Sequence, residues 1–198
     1  MMKHEDFIVT YENAIPKELC EYIIEEFEKS PCKSEGLAGT VDGQVEDAIK
    51  KSTEIVVGEC PGFGEIDYTI FGYVADYAKK YINKINEYCD SALTLSNKFS
   101  DTGYLIKRYD KGDGWFHWHH DLCVEQQNGY RTVAIIIYLN DVEEGGETEF
   151  LSELKIKPKT GTMLFFPASW QYVHRGSIPK SNTKYVITSF LYQQSATY

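Results

Sequence analysis

The second half of this chain constrains its fold more than anything else in the sequence. From residue 102 onward it breaks into short runs of β-branched and aromatic residues, each closed by Gly, Asn, Asp or Pro. The runs fall at 102–109, 115–122, 132–139, 147–151, 154–157, 162–166, 172–175 and 184–192. Runs of this kind read as strands. So many short strands within about ninety residues predict a sandwich or jelly roll. An aromatic content of 14% suits such a sheet.

The first half has a different period. A short strand is expected at 7–11. Leu19, Tyr22, Ile23 and Phe27 then recur at helical spacing, with Pro16 near the first turn, where a missing N–H costs nothing. Ile70, Val74, Tyr77, Tyr81, Ile85 and Tyr88 form a second stripe over 66–88. Their spacing assigns these tyrosines to core packing. Between the helices, 31–64 is Gly-rich and aperiodic, and reads as loop with a short strand at 53–57. The layout predicts an α+β chain forming one domain over 1–198. Residues 1–100 supply helical and loop support, and 101–198 the strand-rich core.

Composition removes several function classes. With 198 residues and 42% hydrophobic content, the chain can bury one proper core, so disorder is excluded for its bulk. Its net charge of −10 is the opposite of a duplex-binding balance, so no nucleic-acid partner is expected. No apolar run approaches the ~18 residues of a membrane span, and Met1 to Asp6 lacks the apolar stretch of a secretion signal. The five cysteines (20, 32, 60, 89 and 123) are odd in number and contain no CxxC pair. Unpaired thiols in a reducing, cytoplasmic compartment are the expectation.

The chemistry concentrates in Phe116-His117-Trp118-His119-His120-Asp121. Strand alternation would put His117, His119 and Asp121 on one face and His120 on the other. His119 and Asp121 can then converge on a single ion, and His174, on a later strand, offers another imidazole. Two histidines and one carboxylate leave half of an octahedron open, the arrangement of non-haem Fe(II) oxygenases. An isolated His-x-Asp arises by chance in many chains. His117 competes with His119 as a ligand but has no carboxylate two residues on.

What surrounds the triad makes the pattern specific. Tyr109, Gly112, His119 and Asp121 are followed by Arg131, Tyr138-Leu139-Asn140-Asp141 and Gly145-Gly146-Glu147-Thr148. Then come Gly161, Leu164-Phe165-Phe166-Pro167, His174 and, ten residues later, Lys184. In this order and spacing, residues 103 to 192 resemble the 2-oxoglutarate- and Fe(II)-dependent dioxygenases, specifically the prolyl 4-hydroxylase group. The resemblance implies a double-stranded β-helix, a jelly roll with N-terminal helices packed on one sheet. It implies iron held by the catalytic residues His119, Asp121 and His174. Lys184 would hold the far carboxylate of 2-oxoglutarate, with Tyr138, Tyr109 and Thr148 as further co-substrate contacts. Asn140 and Asp141 suit a turn.

The implied reaction splits O₂. One atom enters 2-oxoglutarate, which leaves as succinate and CO₂, and the other enters an unactivated C–H bond. Ascorbate is the accessory reductant such chemistry suggests. Asp121 argues for hydroxylation over halogenation, because halogenases of this superfamily lack that ligand. The substrate implied is a prolyl residue in a peptide or protein, with no nucleic acid and no membrane involved. Arg131, Trp115 and Phe190 are the substrate-contact candidates, and the loops 123–130 and 31–64 could close over an extended peptide. Phe190 stands where many of these enzymes have Trp, and Trp115-Phe116 replaces a commoner single Tyr. That altered wall leaves two alternatives: a hydroxylase of a free amino acid or other small metabolite, or a non-catalytic metal-binding jelly roll used as an interaction module.

Overall fold

The computed structural model describes residues 3–36, 49–88, 98–125 and 129–193. The centre of the Gly-rich segment and Cys89 therefore lie outside the described residues. Strand β1 (Val9–Tyr11) precedes helix α1 (Lys17–Lys29). Strands β2 (Ser34–Glu35), β3 (Lys50–Lys51) and β4 (Thr53–Val56) lead to helix α2 (Gly64–Glu87). The remaining strands are β5 (Phe99–Asp101), β6 (Leu105–Tyr109), β7 (Trp115–His119), β8 (Val124–Glu125), β9 (Gly129–Tyr138), β10 (Thr148–Phe150), β11 (Lys155–Ile156), β12 (Thr162–Pro167), β13 (His174–Gly176) and β14 (Lys184–Gln193). Every predicted run contains a strand. The run at 102–109 starts later, and the sheet gains β5 upstream of it.

The described strands form two antiparallel sheets. The larger runs β1-β12-β9-β14-β6-β4-β2, with β5 also on β14 and β8 on β9. The smaller runs β11-β10-β13-β7-β3.

Period-two alternation sorts the larger sheet into two faces. Val133, Ile135 and Ile137 of β9, Met163 and Phe165 of β12, and Ile187 and Leu191 of β14 share one buried cluster with Ile23 and Phe27 of α1 and Ile70, Val74 and Tyr81 of α2. Tyr81 stacks on Phe165 at 5.4 Å and donates its hydroxyl to the Phe7 carbonyl at 3.0 Å. The alternate residues Ala134, Tyr138, Leu164, Phe166 and Val186 turn the other way, onto Phe150 of the smaller sheet. Burying side chains of this size contributes about 1.5–3 kcal/mol each. The stripe on α1 is rotated slightly from expectation: Cys20 is buried, Leu19 only partly so, and Tyr22 faces solvent.

The thiols depart from the sequence reading. Cys32 and Cys60 form a disulfide, their Cα atoms 5.9 Å apart, while Cys20 and Cys123 are free. The bond ties the chain just after α1 to the turn before α2. Cysteine spacing carries no signal for such a pairing, because packing of the two helices brings the segments together. Disulfides are rare in reducing compartments, so the pairing removes the basis for expecting one. No described helix is long and apolar enough to cross a membrane.

Candidate metal centre and co-substrate pocket

A cavity between the two sheets collects most of the residues singled out above. About 510 Å³ of empty space, part of it open to solvent, is lined by His119, Asp121 and His174 together with Tyr109, Thr148, Lys184 and Phe190. β7 and β13 pair so that His119 lies opposite His174. Phe116 is then opposite Gly176, so three residues of β7 span two of β13. This bulge breaks simple alternation. It turns Phe116 and His119 to the same side, their rings stacked at 3.6 Å, and leaves His117 exposed. The shared face expected for His117 and His119 is thus corrected, and with it the competition between them. His120 is exposed as expected.

Both imidazoles, His174 buried and His119 half-buried, are fixed in the same way. His119 Nδ1 lies 2.7 Å from the His117 carbonyl, and His174 Nδ1 lies 3.0 Å from the Tyr172 carbonyl. A ring that donates from Nδ1 keeps its Nε2 lone pair for a metal. The two Nε2 atoms face Asp121, at 3.7 Å from Oδ1 for His119 and 3.5 Å from Oδ2 for His174. One ligand atom from each of the three residues lies within 4.8 Å of the others. Burial, reinforced by the neighbouring His174, holds the His119 imidazole well below its ordinary pKa, which favours the neutral form a metal needs. Two nitrogens and one carboxylate oxygen, converging in a cavity with space on the far side, fit a six-coordinate Fe(II) with open positions.

A second polar group sits deeper. Lys184, only 3% exposed, donates from Nζ to the Gly146 carbonyl at 2.8 Å and lies 4.8 Å from the Tyr109 ring centroid. Gly146 has φ +75°, a conformation that side-chain-bearing residues rarely adopt, and this aims its carbonyl at the lysine. Burial pushes the Lys184 pKa down to about 8, opposed by Glu147. Close by in the sheets, the Tyr138 and Thr148 hydroxyls meet at 2.7 Å, both buried. Asn140 and Asp141 serve the turn, Asn140 accepting from the Tyr185 amide and Asp141 from the Thr160 amide.

The sequence model of the 2OG-Fe(II) oxygenase superfamily matches residues 104–192, the stretch that carries all of these side chains. Over that stretch, a little under half of its length, the chain is similar to the 2OG-Fe(II) oxygenase superfamily. Among curated proteins, two probable prolyl 4-hydroxylases of Arabidopsis thaliana, numbered 3 and 10, are each 27% identical, in alignments 180 and 184 positions long that cover 79% of this chain. The chain spans 56% of the length of those relatives. Two solved structures share the fold. The viral collagen prolyl hydroxylase of Paramecium bursaria chlorella virus-1, in complex with 2OG, has a TM-score of 0.65 at 19% identity, covering 95% of this chain and 97% of that one. A Trichoplax adhaerens prolyl hydroxylase, in complex with a peptide fragment of a hypoxia inducible factor oxygen degradation domain, has a TM-score of 0.69 at 16% identity, covering 95% and 84%. That similarity points to Fe(II), 2-oxoglutarate and O₂, and the His-Asp-His cluster fits iron.

The substrate-contact candidates separate. Phe190 lines the cavity, and the Arg131 guanidinium lies 4.2 Å from its ring centroid. Trp115 does not line it. Its ring packs edge-on against His117 at 5.4 Å, and Phe116 takes the inward place. Sequence reasoning missed Phe116 because the bulge was not legible. It also missed Lys107, a buried lysine that lines the same cavity. Period two did carry that signal, since Lys107 lies two residues before Tyr109 in β6 and shares its face.

Proposed function

We propose that this protein is a dioxygenase that hydroxylates a prolyl residue in a peptide or protein. His119, Asp121 and His174 would hold Fe(II). Bound there with 2-oxoglutarate and O₂, Fe(II) would supply the oxidising chemistry for a hydroxylation that releases succinate and CO₂. The chain's own residues bind and orient. Lys184 offers an ammonium to the far carboxylate of 2-oxoglutarate as a point charge. The Tyr138 and Thr148 hydroxyls are close enough to each other to share that carboxylate. Tyr109, buried and lining the cavity, walls the co-substrate on the β6 side. The nonpolar surface of Phe116, Val186 and Phe190 keeps the reacting carbon out of bulk water.

The observation that carries the reading is the presence of the three convergent ligands and buried Lys184 in one cavity. A peptide substrate is supported by the rim. Trp118, Leu122, Val124 and Tyr130 expose large apolar side chains along the β7–β9 region beside the cavity, as recognition surfaces do. Arg131, held over Phe190, stands on the same hairpin. The test is a screen of proline-containing peptides for a +16 Da product that requires both Fe(II) and 2-oxoglutarate, with succinate measured in parallel. Succinate with a hydroxyprolyl product supports the reading. Succinate coupled to oxidation of another residue type would overturn the prolyl part, and no 2-oxoglutarate turnover under any condition would overturn the whole.

A further inference from the structure

Lys107 is a buried lysine with no hydrogen-bond or ion-pair partner among the described residues. It sits in the middle of β6, 7% exposed, and lines the cavity that holds His119, Asp121 and His174. Its nearest ring is Phe116, with the centroid at 5.8 Å. The neighbouring charges are already committed. Lys50 pairs with Glu54 at 2.8 Å, both buried. Arg175 pairs with Glu149 through two contacts, at 2.8 and 2.6 Å. Burial holds the Lys107 pKa down, with Glu54 and Asp121 opposing and Lys50 adding to the effect. A buried unpaired ammonium loses its hydration, and it keeps its proton only where an anion compensates.

The loaded site does not provide that compensation. Fe(II) carries two positive charges, Asp121 one negative, 2-oxoglutarate two negative and Lys184 one positive. These cancel, Lys50 and Arg175 are matched by carboxylates, and Glu147 bears on Lys184 and is not among the charges that bear on Lys107, so Lys107 has no anion of its own in the loaded site. Register separates the two lysines. Lys184 lies opposite Tyr109, whereas Lys107 lies opposite Val186, two residues farther along β14 toward Phe190. Along β14, Lys107 thus lies between the level of Lys184 and that of Phe190.

We propose that Lys107 is a specificity residue that pairs with a carboxylate of the substrate, carried within about one residue of the hydroxylated carbon. The inference rests on the dioxygenase reading above and names the substrate class: an acidic one. Two sources share this chemistry, the terminal carboxylate of a chain that ends at the target residue and the side chain of an adjacent Asp or Glu.

The test uses the whole chain loaded with Mn(II) and N-oxalylglycine, which keeps both carboxylates and the chelating oxygens of 2-oxoglutarate without being turned over. Four short probes are titrated by calorimetry: acetyl-Ala-Pro with a free carboxylate, its carboxamide, acetyl-Glu-Pro-amide and acetyl-Gln-Pro-amide. In the parent, at least one carboxylate probe should bind about tenfold or more tighter than its neutral match, consistent with a desolvated charge pair. Lys107→Met, which keeps the stem and removes the charge, should bring the pair within about twofold and leave N-oxalylglycine affinity within about threefold. Whichever carboxylate gains identifies the source. Equal binding of charged and neutral probes in the parent, discrimination that survives Lys107→Met, or no binding of either carboxylate probe up to about 10 mM would each overturn the proposal. So would a large loss of N-oxalylglycine affinity in Lys107→Met, which would make Lys107 a co-substrate anchor. The same pairs with Ala in place of Pro separate the two readings. Lys107-dependent discrimination without any preference for Pro sustains this inference and defeats the prolyl one, and a preference for Pro without charge discrimination does the reverse.

Discussion

Replacing Lys184 with Ala should weaken 2-oxoglutarate binding severely while leaving the metal ligands in place. The side chain is 3% exposed, and the only hydrogen bond its Nζ makes among the described residues is with the Gly146 carbonyl at 2.8 Å. An ammonium has three donors, so two remain for a carboxylate entering beside Tyr138 and Thr148. The resulting pair would be largely desolvated. Removing one partner of such a pair costs about 2–5 kcal/mol, because the remaining charge stays buried and unpaired. That corresponds to a factor of about 30 to several thousand in Kd. Lys184→Arg should recover part of the loss, since the planar fork needs more width than a point charge. Calorimetric titration of 2-oxoglutarate into the Mn(II)-loaded parent and the two variants at pH 7 measures this directly. A Lys184→Ala value within about threefold of the parent, under 1 kcal/mol, would refute the reasoning and leave the far carboxylate without its cation.

Three further outcomes are expected. Because burial sets the Lys184 pKa at about 8, its charge is present below that pH and lost above it. 2-Oxoglutarate affinity should therefore fall as the pH rises from 8 toward 10 in the parent but stay flat in Lys184→Arg, whose guanidinium keeps its proton; identical profiles would contradict the assignment. Tyr138→Phe removes a buried hydroxyl now 2.7 Å from Thr148. A hydrogen bond to a charged group contributes about 1.5–3 kcal/mol, so 2-oxoglutarate binding measured by calorimetry should weaken about tenfold or more. Reducing the Cys32–Cys60 bond opens a loop with a sequence separation of 28. Loop entropy of that length is about 3–4 kcal/mol, so dithiothreitol should lower the melting temperature in calorimetric scans by roughly 10 °C, and an unchanged Tm would show that the bond contributes nothing.

The parts of the fold that follow local periodicity were legible in the residues. Ile70, Val74 and Tyr81 on α2 announce their face through spacing alone, whereas the continuous apolar run of β9 announces a strand and leaves its faces to the sheet packing. The order of Tyr109, His119, Asp121, His174 and Lys184 carried the candidate site. Features set by tertiary contact were not legible. The bulge between β7 and β13 depends on how His119 and Phe116 register against His174 and Gly176, and alternation within β7 could not reveal it. The disulfide depends on the approach of two segments that helix packing brings together. Lys107 was overlooked for another reason: a lysine in a strand is normally solvent-facing, and that expectation outweighed the face it shares with Tyr109 in β6.

The central claim is that His119, Asp121 and His174 together hold one metal ion. Equilibrium dialysis of Fe(II) under argon, against the parent and single alanine variants, tests it most directly. The parent should bind one Fe(II) per chain, and His119→Ala, Asp121→Ala and His174→Ala should each lose affinity by at least about 100-fold, since even residues that merely orient a ligand account for 10–100-fold. His117→Ala and His120→Ala, whose side chains are exposed, should bind as the parent does. Retention of parent-like iron affinity by Asp121→Ala, or its loss in His117→Ala, would contradict the account.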